Sequence, residues 1–473
     1  MAIHVSLVGR KNLRGEVYHQ LRAAVRAGQL RPGEYLTPSR ELARALAVSR
    51  STVVAAYDRL AAEGFVTSRP GGGTFVSEGL TQAKRGARMR SDSALRPRPV
   101  WNSFDLPIGF LPALFDFRTG LPDASLFPHQ AWRRLVARAL RVAEKAERVY
   151  QHPAGQLSLR SAIAHHIGIS RGIEASAEDI VITSGTQQAL DFLARVLFSP
   201  GDRIAVEDPG YRPPRELFRS LSLRVIGVPV DHDGLVVDAL PSRVRAIYVT
   251  PSHQFPLGVT MSLARRRALL AWAERNDAAI IEDDYDSEFR FGDRPLEPLQ
   301  TLDTRGRVIY VGSFSKTLLP TIRLGFVVTP RSLRPAVQKA AFVAHWHAPT
   351  LTQTTLAHLI NGGEFARHIR RVNRIYRERH EVLVGTLSRN FSSHLELIPA
   401  TTGLHVTALA RRASAKQVAA VVWRAAQADV ALHDLSLLAV SGGPPPGIIL
   451  GYGAISAEQI PGGLRRLRRC FDH

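Results

Sequence analysis

The chain has 473 residues, enough for two or three domains and at least one large core. Its 62 Lys and Arg against 41 Asp and Glu give a net charge of +21, which points to an acidic partner, most simply nucleic acid, with a genomic bias toward Arg as the other source. The single cysteine, Cys470, excludes an internal disulfide and a cysteine metal cage, and no apolar run is long enough to span a bilayer, so a soluble cytosolic protein is expected.

Residues 15–27 carry apolar side chains at Val17, Leu21, Ala24 and Val25, which is helical spacing. Ser39 reads as the cap of a second helix with Leu42 and Leu46 inward, and Ala47-Val48 as the turn into a third helix over residues 49–63. Gly64 ends that helix, and two short strands flank Pro70-Gly71-Gly72-Gly73. Helices, a tight turn, a longer helix and a glycine-tipped hairpin make a winged helix-turn-helix. The third helix opens Ser49-Arg50-Ser51-Thr52, hydroxyls and a guanidinium suited to phosphates and base edges. Arg40 is placed to reach the backbone, and Arg69 with the glycine tip to enter the minor groove. The same pattern also serves three-helix protein-interaction modules. The run LTPSRELARALAVSRSTVVAAYDRLAAEGFVTSRPGGGTFV, however, closely resembles the DNA-binding domain of GntR-type bacterial regulators. That resemblance covers roughly residues 14–77, and a domain over residues 1–78 is expected. It implies that Arg40, Ser49, Arg50, Thr52, Arg69 and Gly71 face DNA.

Residues 79–114 have no apolar period and are rich in Arg, Pro and Ser. They read as a basic tether, either without a role of its own or adding sequence-independent phosphate contacts.

From residue 115 to 473, short buried strands alternate with stretches long enough for helices. The strands are expected at residues 180–182, 203–206, 225–226, 246–249, 279–281, 308–311 and 324–328. This is an α/β pattern with a mostly parallel sheet, whose ligands sit at the carboxyl ends of the strands. The unusual residues lie there. Thr183-Ser184-Gly185-Thr186 opens a helix, and its free N–H groups suit a phosphate. Tyr211, in EDPGY, offers a ring to stack on a planar ligand. Glu282-Asp283-Asp284-Tyr285 offers a carboxylate for a protonated ring nitrogen and a phenol for a ring oxygen. The other chemistry of such an acidic cluster is a Mg²⁺ or Ca²⁺ site. Lys316 sits between Ser315 and Thr317 just past a buried strand, where a low-dielectric wall would depress its pKa for imine formation. Only six of the 62 basic residues are Lys, so charge alone would favour Arg at this position.

These pieces suit pyridoxal phosphate, and the order SGT, DPGY, EDDYDSEF, SFSK and a following Arg resembles fold-type I aminotransferases. By that resemblance Lys316 forms the Schiff base, Asp283 pairs with the ring nitrogen, Tyr285 bonds the phenolic oxygen and Tyr211 stacks. Gly185, Thr186, Ser313 and Arg323 hold the phosphate. Tyr150, in YQHPAG, matches a tyrosine that reaches the phosphate from a neighbouring subunit, which implies a dimer. The whole arrangement looks like the MocR family of regulators, whose members bind pyridoxal phosphate, usually respond to a small amine, an amino acid or the cofactor itself, and form head-to-tail dimers.

Two departures separate the chain from an amino-acid transaminase. Aminotransferases usually carry Asn-Pro-x-Gly, whose Asn bonds the ring oxygen; here the run is Phe255-Pro256-Leu257-Gly258. The Arg that clamps a substrate carboxylate is expected between Leu435 and Gly463, and that stretch contains none. A regulator with a sensory cofactor domain is therefore expected over a working aminotransferase with an attached DNA module, or over a module used only for dimerisation. The effector is expected to lack a carboxylate or to be the cofactor. His405, His253 and Gln254 are candidates to line its pocket or to serve as hydrogen-bonded interior groups. The Arg-rich stretch 367–379 reads as a solvated face.

Overall fold

The computed structural model describes residues 13–69, 72–77, 96–104, 113–145, 149–291, 297–440, 443 and 445–472, with backbone alone for 142–145. It forms two compact units, Met1–Arg98 and Pro99–His473.

The first unit contains α1 (Leu13–Ala27), α2 (Ser39–Ala45), α3 (Arg50–Ala62), β1 (Val66–Arg69) and β2 (Gly73–Val76). The stripe Val17, Tyr18, Leu21, Ala24 and Val25 of α1 is buried. It meets Leu42, Val53, Ala56, Leu60, Val66 and Val76 in one core. Each such Val or Leu stabilises the unit by roughly 1.5–3 kcal/mol, a large share for so small a core. Ser49 caps α3 as expected, accepting from Thr52 N at 3.2 Å. Ser39 does not cap α2. Pro38 occupies the cap position in an extended conformation, and Ser39 is the first helical residue. The hairpin pairs Val66 with Val76 and Arg69 with Gly73. Gly73 has φ +92°, and a Cβ there would stand 2.3 Å from the Tyr35 ring, so only glycine fits. Gly71, at the tip, lies outside the described residues.

In the second unit the strands are β3 (Phe115–Asp116), β4 (Ile180–Thr183), β5 (Arg203–Asp208), β6 (Arg224–Asp231), β7 (Gly234–Leu235), β8 (Ala246–Val249), β9 (Ala279–Asp284), β10 (Val308–Ser313) and β11 (Gly325–Val328). They are followed by β12 (Leu395–Leu397), β13 (His405–Ala410), β14 (Val430–Ala431), β15 (His433–Asp434) and β16 (Gly447–Gly451). The main sheet runs β4-β11-β10-β9-β8-β5-β6-β7. The neighbours from β10 through β9, β8 and β5 to β6 are parallel, and β11 is antiparallel to both β4 and β10. Every residue of β4, β8 and β11 is buried, because helices cover both faces. Val181, Val206, Tyr248, Ile281 and Val311 pack on the helix Thr186–Leu197, while Ile247 and Ile280 face the helix Leu263–Arg275.

A second, antiparallel sheet, β12-β13-β16-β15, packs with the helices Glu364–Asn390, Ala415–Gln427 and Ile460–Arg469. On the Arg-rich helix, Arg367, Arg370, Arg371, Arg374 and Arg377 are exposed. Arg379 is buried instead, donating to Gly453 O at 2.7 Å and pairing with Asp123 at 2.5 Å. No described helix is long and apolar enough to cross a membrane.

Candidate cofactor site and nucleic-acid interface

The carboxyl ends of β5, β8, β9 and β10 converge on a cavity of about 360 Å³. Thr186, Tyr211, Asp283, Tyr285, Ser313, Lys316 and Arg323, far apart in sequence, all line it. Gly185 is the residue before the helix Thr186–Leu197 and has φ +93°. A Cβ on it would lie 3.3 Å from the Arg323 guanidinium, so glycine lets that cation close over the helix N-terminus. Arg323 itself donates to Ser184 O at 2.5 Å. Tyr150 is not brought to this cavity. It is 72% exposed and stacks on Trp346 with centroids 4.4 Å apart.

Lys316 Nζ donates to Gly120 O at 2.9 Å. The residue is half-buried because the cavity opens over it. The protein packed round the amine pushes its pKa below the usual lysine range, opposed by Asp286 and Asp283. Across the cavity Asp283 Oδ2 accepts from Tyr248 OH at 2.6 Å. Its Oδ1 is buried with no partner among the described residues. Burial pushes Asp283 up to about 7, with Tyr248 and Lys316 pulling the other way. Tyr248 was not singled out in the sequence because it sits mid-strand among apolar residues, where an aromatic normally packs.

The carboxylates of Glu282, Asp283 and Asp284 do not share one face. Strand alternation sends Asp283 to one face and Glu282 and Asp284 to the other. Glu282 accepts from Leu299 N and Gln300 N, both at 2.9 Å. Asp284 Oδ2 accepts from Arg171 Nε at 3.0 Å and Tyr310 OH at 2.5 Å. These carboxylates are committed to the fold behind the site, which removes the geometry of a shared divalent cation.

Residues 253–258 form a loop that sends Phe255 into the cavity. Gln254 Nε2 donates to Pro209 O at 2.9 Å and Phe255 O at 2.7 Å, and its Oε1 accepts from Leu257 N at 3.0 Å. It is an interior loop brace. His405 lines the cavity and bonds Pro256 O at 3.0 Å. Burial, then the neighbouring His253, hold its pKa well below the histidine range. His253 is 1% exposed and engages Asp286 and Tyr285 rather than the cavity. Phe255 lines the cavity where the resemblance leads one to look for Asn.

In the first unit Arg40, Ser49, Arg50 and Arg69 are exposed. The Arg69 guanidinium lies 5.3 Å over the Phe75 ring. Thr52 is 7% exposed and its hydroxyl is spent on Ser49 Oγ at 2.8 Å, inside the cap.

The profile "Bacterial regulatory proteins, gntR family" matches residues 13–76, and "Aminotransferase class I and II" matches residues 118–443. The probable rhizopine catabolism regulatory protein MocR of Rhizobium meliloti is 37% identical over 462 residues, 96% of this chain and 93% of that protein. The chain belongs to the MocR-type regulators of the GntR family. The pyridoxine biosynthesis transcriptional regulator PdxR of Corynebacterium glutamicum is 33% identical, with 94% of this chain and 93% of that protein covered. Among solved structures, the α-aminoadipate aminotransferase LysN of Thermus thermophilus, complexed with N-(5'-phosphopyridoxyl)-L-leucine, aligns with TM-score 0.69 at 30% identity. That match covers 76% of this chain and 92% of LysN. The MocR-type relatives extend the likeness over both units, whereas LysN matches only about three quarters of the chain.

Proposed function

We propose that this MocR-type chain is a cytoplasmic, dimeric transcriptional regulator. It binds promoter DNA through residues 13–76 and senses a small amine, an amino acid or pyridoxal phosphate itself through the larger unit. The observation that carries the reading is Asp283 Oδ1. A buried carboxylate oxygen with no partner among the described residues faces the same cavity as a lysine of lowered pKa. A pyridinium nitrogen would complete it. The cavity volume and the Gly185 cradle fit a phosphate-bearing ring of this size.

Bound there, pyridoxal phosphate supplies an aldehyde carbon for amines and an electron-withdrawing ring. Lys316 would be the amine that holds that carbon, its lowered pKa raising the fraction of free amine. Asp283 would face the ring nitrogen and favour its protonated form. Thr186, Ser313, Arg323 and the N–H groups after Gly185 would hold the phosphate. Tyr211 would cover the ring, and Tyr285 would donate to its phenolic oxygen. Tyr150, exposed in the single chain, would serve the phosphate of a second copy.

The names of the relatives, a rhizopine catabolism regulator and a pyridoxine biosynthesis regulator, direct the search for effectors to small amines and vitamers. The absence of Arg between Leu435 and Gly463 favours an effector without a carboxylate. The likeness to LysN supports a second reading, a working aminotransferase with a DNA module. One experiment separates them: absorbance titration of the purified chain with pyridoxal phosphate and then amines, beside a DNA shift assay and a turnover assay with 2-oxo acid. A regulator shows a bound-cofactor band and effector-dependent DNA mobility without turnover. Sustained turnover lost in Lys316→Ala, with DNA binding indifferent to ligand, overturns it.

A further inference from the structure

His253 is a buried histidine that the roles above leave unused. Its Nδ1 stands 3.0 Å and 3.1 Å from the two Asp286 carboxylate oxygens and 3.1 Å from Tyr285 Oη. Its Nε2 is buried with no partner among the described residues. The tautomer follows: the nitrogen surrounded by acceptor oxygens carries the proton, because a buried N–H with no acceptor costs more than a buried lone pair with no donor. Asp286 is fixed in turn, accepting from Leu404 N at 3.2 Å. The arrangement leaves no slack. A Cβ on Gly403, φ +82°, would fall 1.9 Å from His253 Cε1 and 2.7 Å from Asp286 Oδ2.

Tyr285 shares this network. Its hydroxyl donates to His253 O at 2.9 Å. It has a single proton, so with a donor directed at its oxygen that proton has only His253 O or a ligand oxygen in the cavity as acceptor. Phe255 occupies the wall where an asparagine would donate directly, which leaves Tyr285, a phenol beside that wall, with a donor, His253, behind it. We propose that His253, whose Nδ1–H is shared between the Asp286 carboxylate and Tyr285 Oη, is a positioning residue that turns the tyrosine proton toward the phenolic oxygen of the cofactor, doing indirectly what an asparagine side chain does directly. Asp286 and Tyr285 follow β9, His405 lies on β13 and His380 on the helix Glu364–Asn390; these are the titratable groups facing His253. Burial, with Asp286 and Asp283 beside it, keeps the Tyr285 hydroxyl protonated, and burial keeps His405 neutral.

The inference rests on pyridoxal phosphate as ligand, and its test is separable from that reading. The readout is the pH midpoint at which the absorption band of the bound cofactor changes, which rises when hydrogen bonding to the phenolic oxygen weakens. Tyr285→Phe calibrates the full effect, and His253→Ala is expected to move the midpoint the same way by about one unit, a tenfold change in the proton equilibrium. His253→Asn and His253→Gln keep a donor and guard against loss of folding; the better placed of the two returns the midpoint part of the way. In the double variant His253→Ala/Tyr285→Phe the shift equals that of Tyr285→Phe alone, because one pathway is cut twice. A midpoint unchanged in His253→Ala and in both donor variants, or shifts that add in the double variant, overturn the proposal. A native protein with no cofactor band overturns the cofactor reading instead.

Discussion

Arg50 and Asp283 do their work in opposite surroundings. Arg50 is exposed at the first turn of α3, on a unit with a small core, and no described residue forms an ion pair with it. Asp283 is 3% exposed, braced by Tyr248 and set in a sheet covered on both faces. The first kind of site presents long side chains to a partner that arrives with its own charge. The second holds a buried carboxylate with one oxygen unpartnered among the described residues, which a ligand would complete. Substitutions on the first unit should therefore change binding with little change in folding, and those in the second should change folding and ligand binding together.

The largest expected effect is Lys316→Ala. Borohydride-trappable cofactor should vanish, since among the described residues no other lysine lines the cavity. DNA affinity without effector should stay within a few-fold of native. Loss of both would mean that the units are energetically inseparable, and the contrast between them would fail.

Next comes Glu207→Gln. Glu207 is 2% exposed beneath the cavity, accepting from Thr250 Oγ1 at 2.6 Å and Gln254 Nε2 at 3.3 Å. Burial pushes it from 4.5 up to about 7, with the Asp283 charge adding to the rise. The folded state therefore binds the proton more tightly than the unfolded chain. The stabilisation is complete below the unfolded value and is lost as pH rises through about 7. The variant lacks this dependence. Relative to native, it should gain stability between about pH 5 and pH 8, by up to ~3 kcal/mol, in the unfolding transition of the larger unit. A difference that is flat with pH would show that Glu207 is not protonated in the fold.

The same contrast explains what could be read without coordinates. β4, β5, β8, β9, β10 and β11 are runs of Ile, Val and Ala bounded by polar turns, so their burial was written in composition. The ligand residues follow those strands directly, and the parallel topology gathers them at one end. The small antiparallel sheet was harder to read: β12 and β15 are three and two residues long, and β13 carries His405 and Thr407 among its apolar residues, although β16, GIILG, is as apolar as the strands of the main sheet. Tyr248 and Asp286 also escaped notice. Their partners, Asp283 and His253, lie 35 and 33 positions away, and only pairing of β8 with β9 brings them together. Thr52 shows the reverse error. A hydroxyl at a helix start suits phosphate in principle, yet here it closes the cap with Ser49.

Arg50→Ala sharpens the exposed side of the comparison. Loss of one guanidinium facing bases or phosphate should weaken promoter binding by about 1–3 kcal/mol and flatten the salt dependence by roughly one ion. The cofactor band and the melting of the unit should not move. A destabilised fold with unchanged DNA affinity would place Arg50 in the structure of the unit and not at its interface.

Ser49 is the residue where the two kinds of work meet, and it carries the smallest expected effect. Its Oγ accepts from Thr52 N at 3.2 Å and lies 2.8 Å from Ser51 Oγ, so it caps α3 while remaining exposed toward a DNA partner. Ser49→Ala removes the cap and should cost about 1 kcal/mol of stability in the first unit. Weaker DNA binding in that variant would be ambiguous, because a frayed α3 also misplaces Arg50. Ser49→Asp resolves it. Aspartate caps as well as serine and favours the positive end of the helix, so stability should return to native. Its charge, however, would face phosphate, so DNA affinity should fall further than in Ser49→Ala. Stability and affinity moving in opposite directions between these two variants would place Ser49 at the interface. If they move together, the capping bond is all that Ser49 contributes, and Arg50 must carry the contact at this turn.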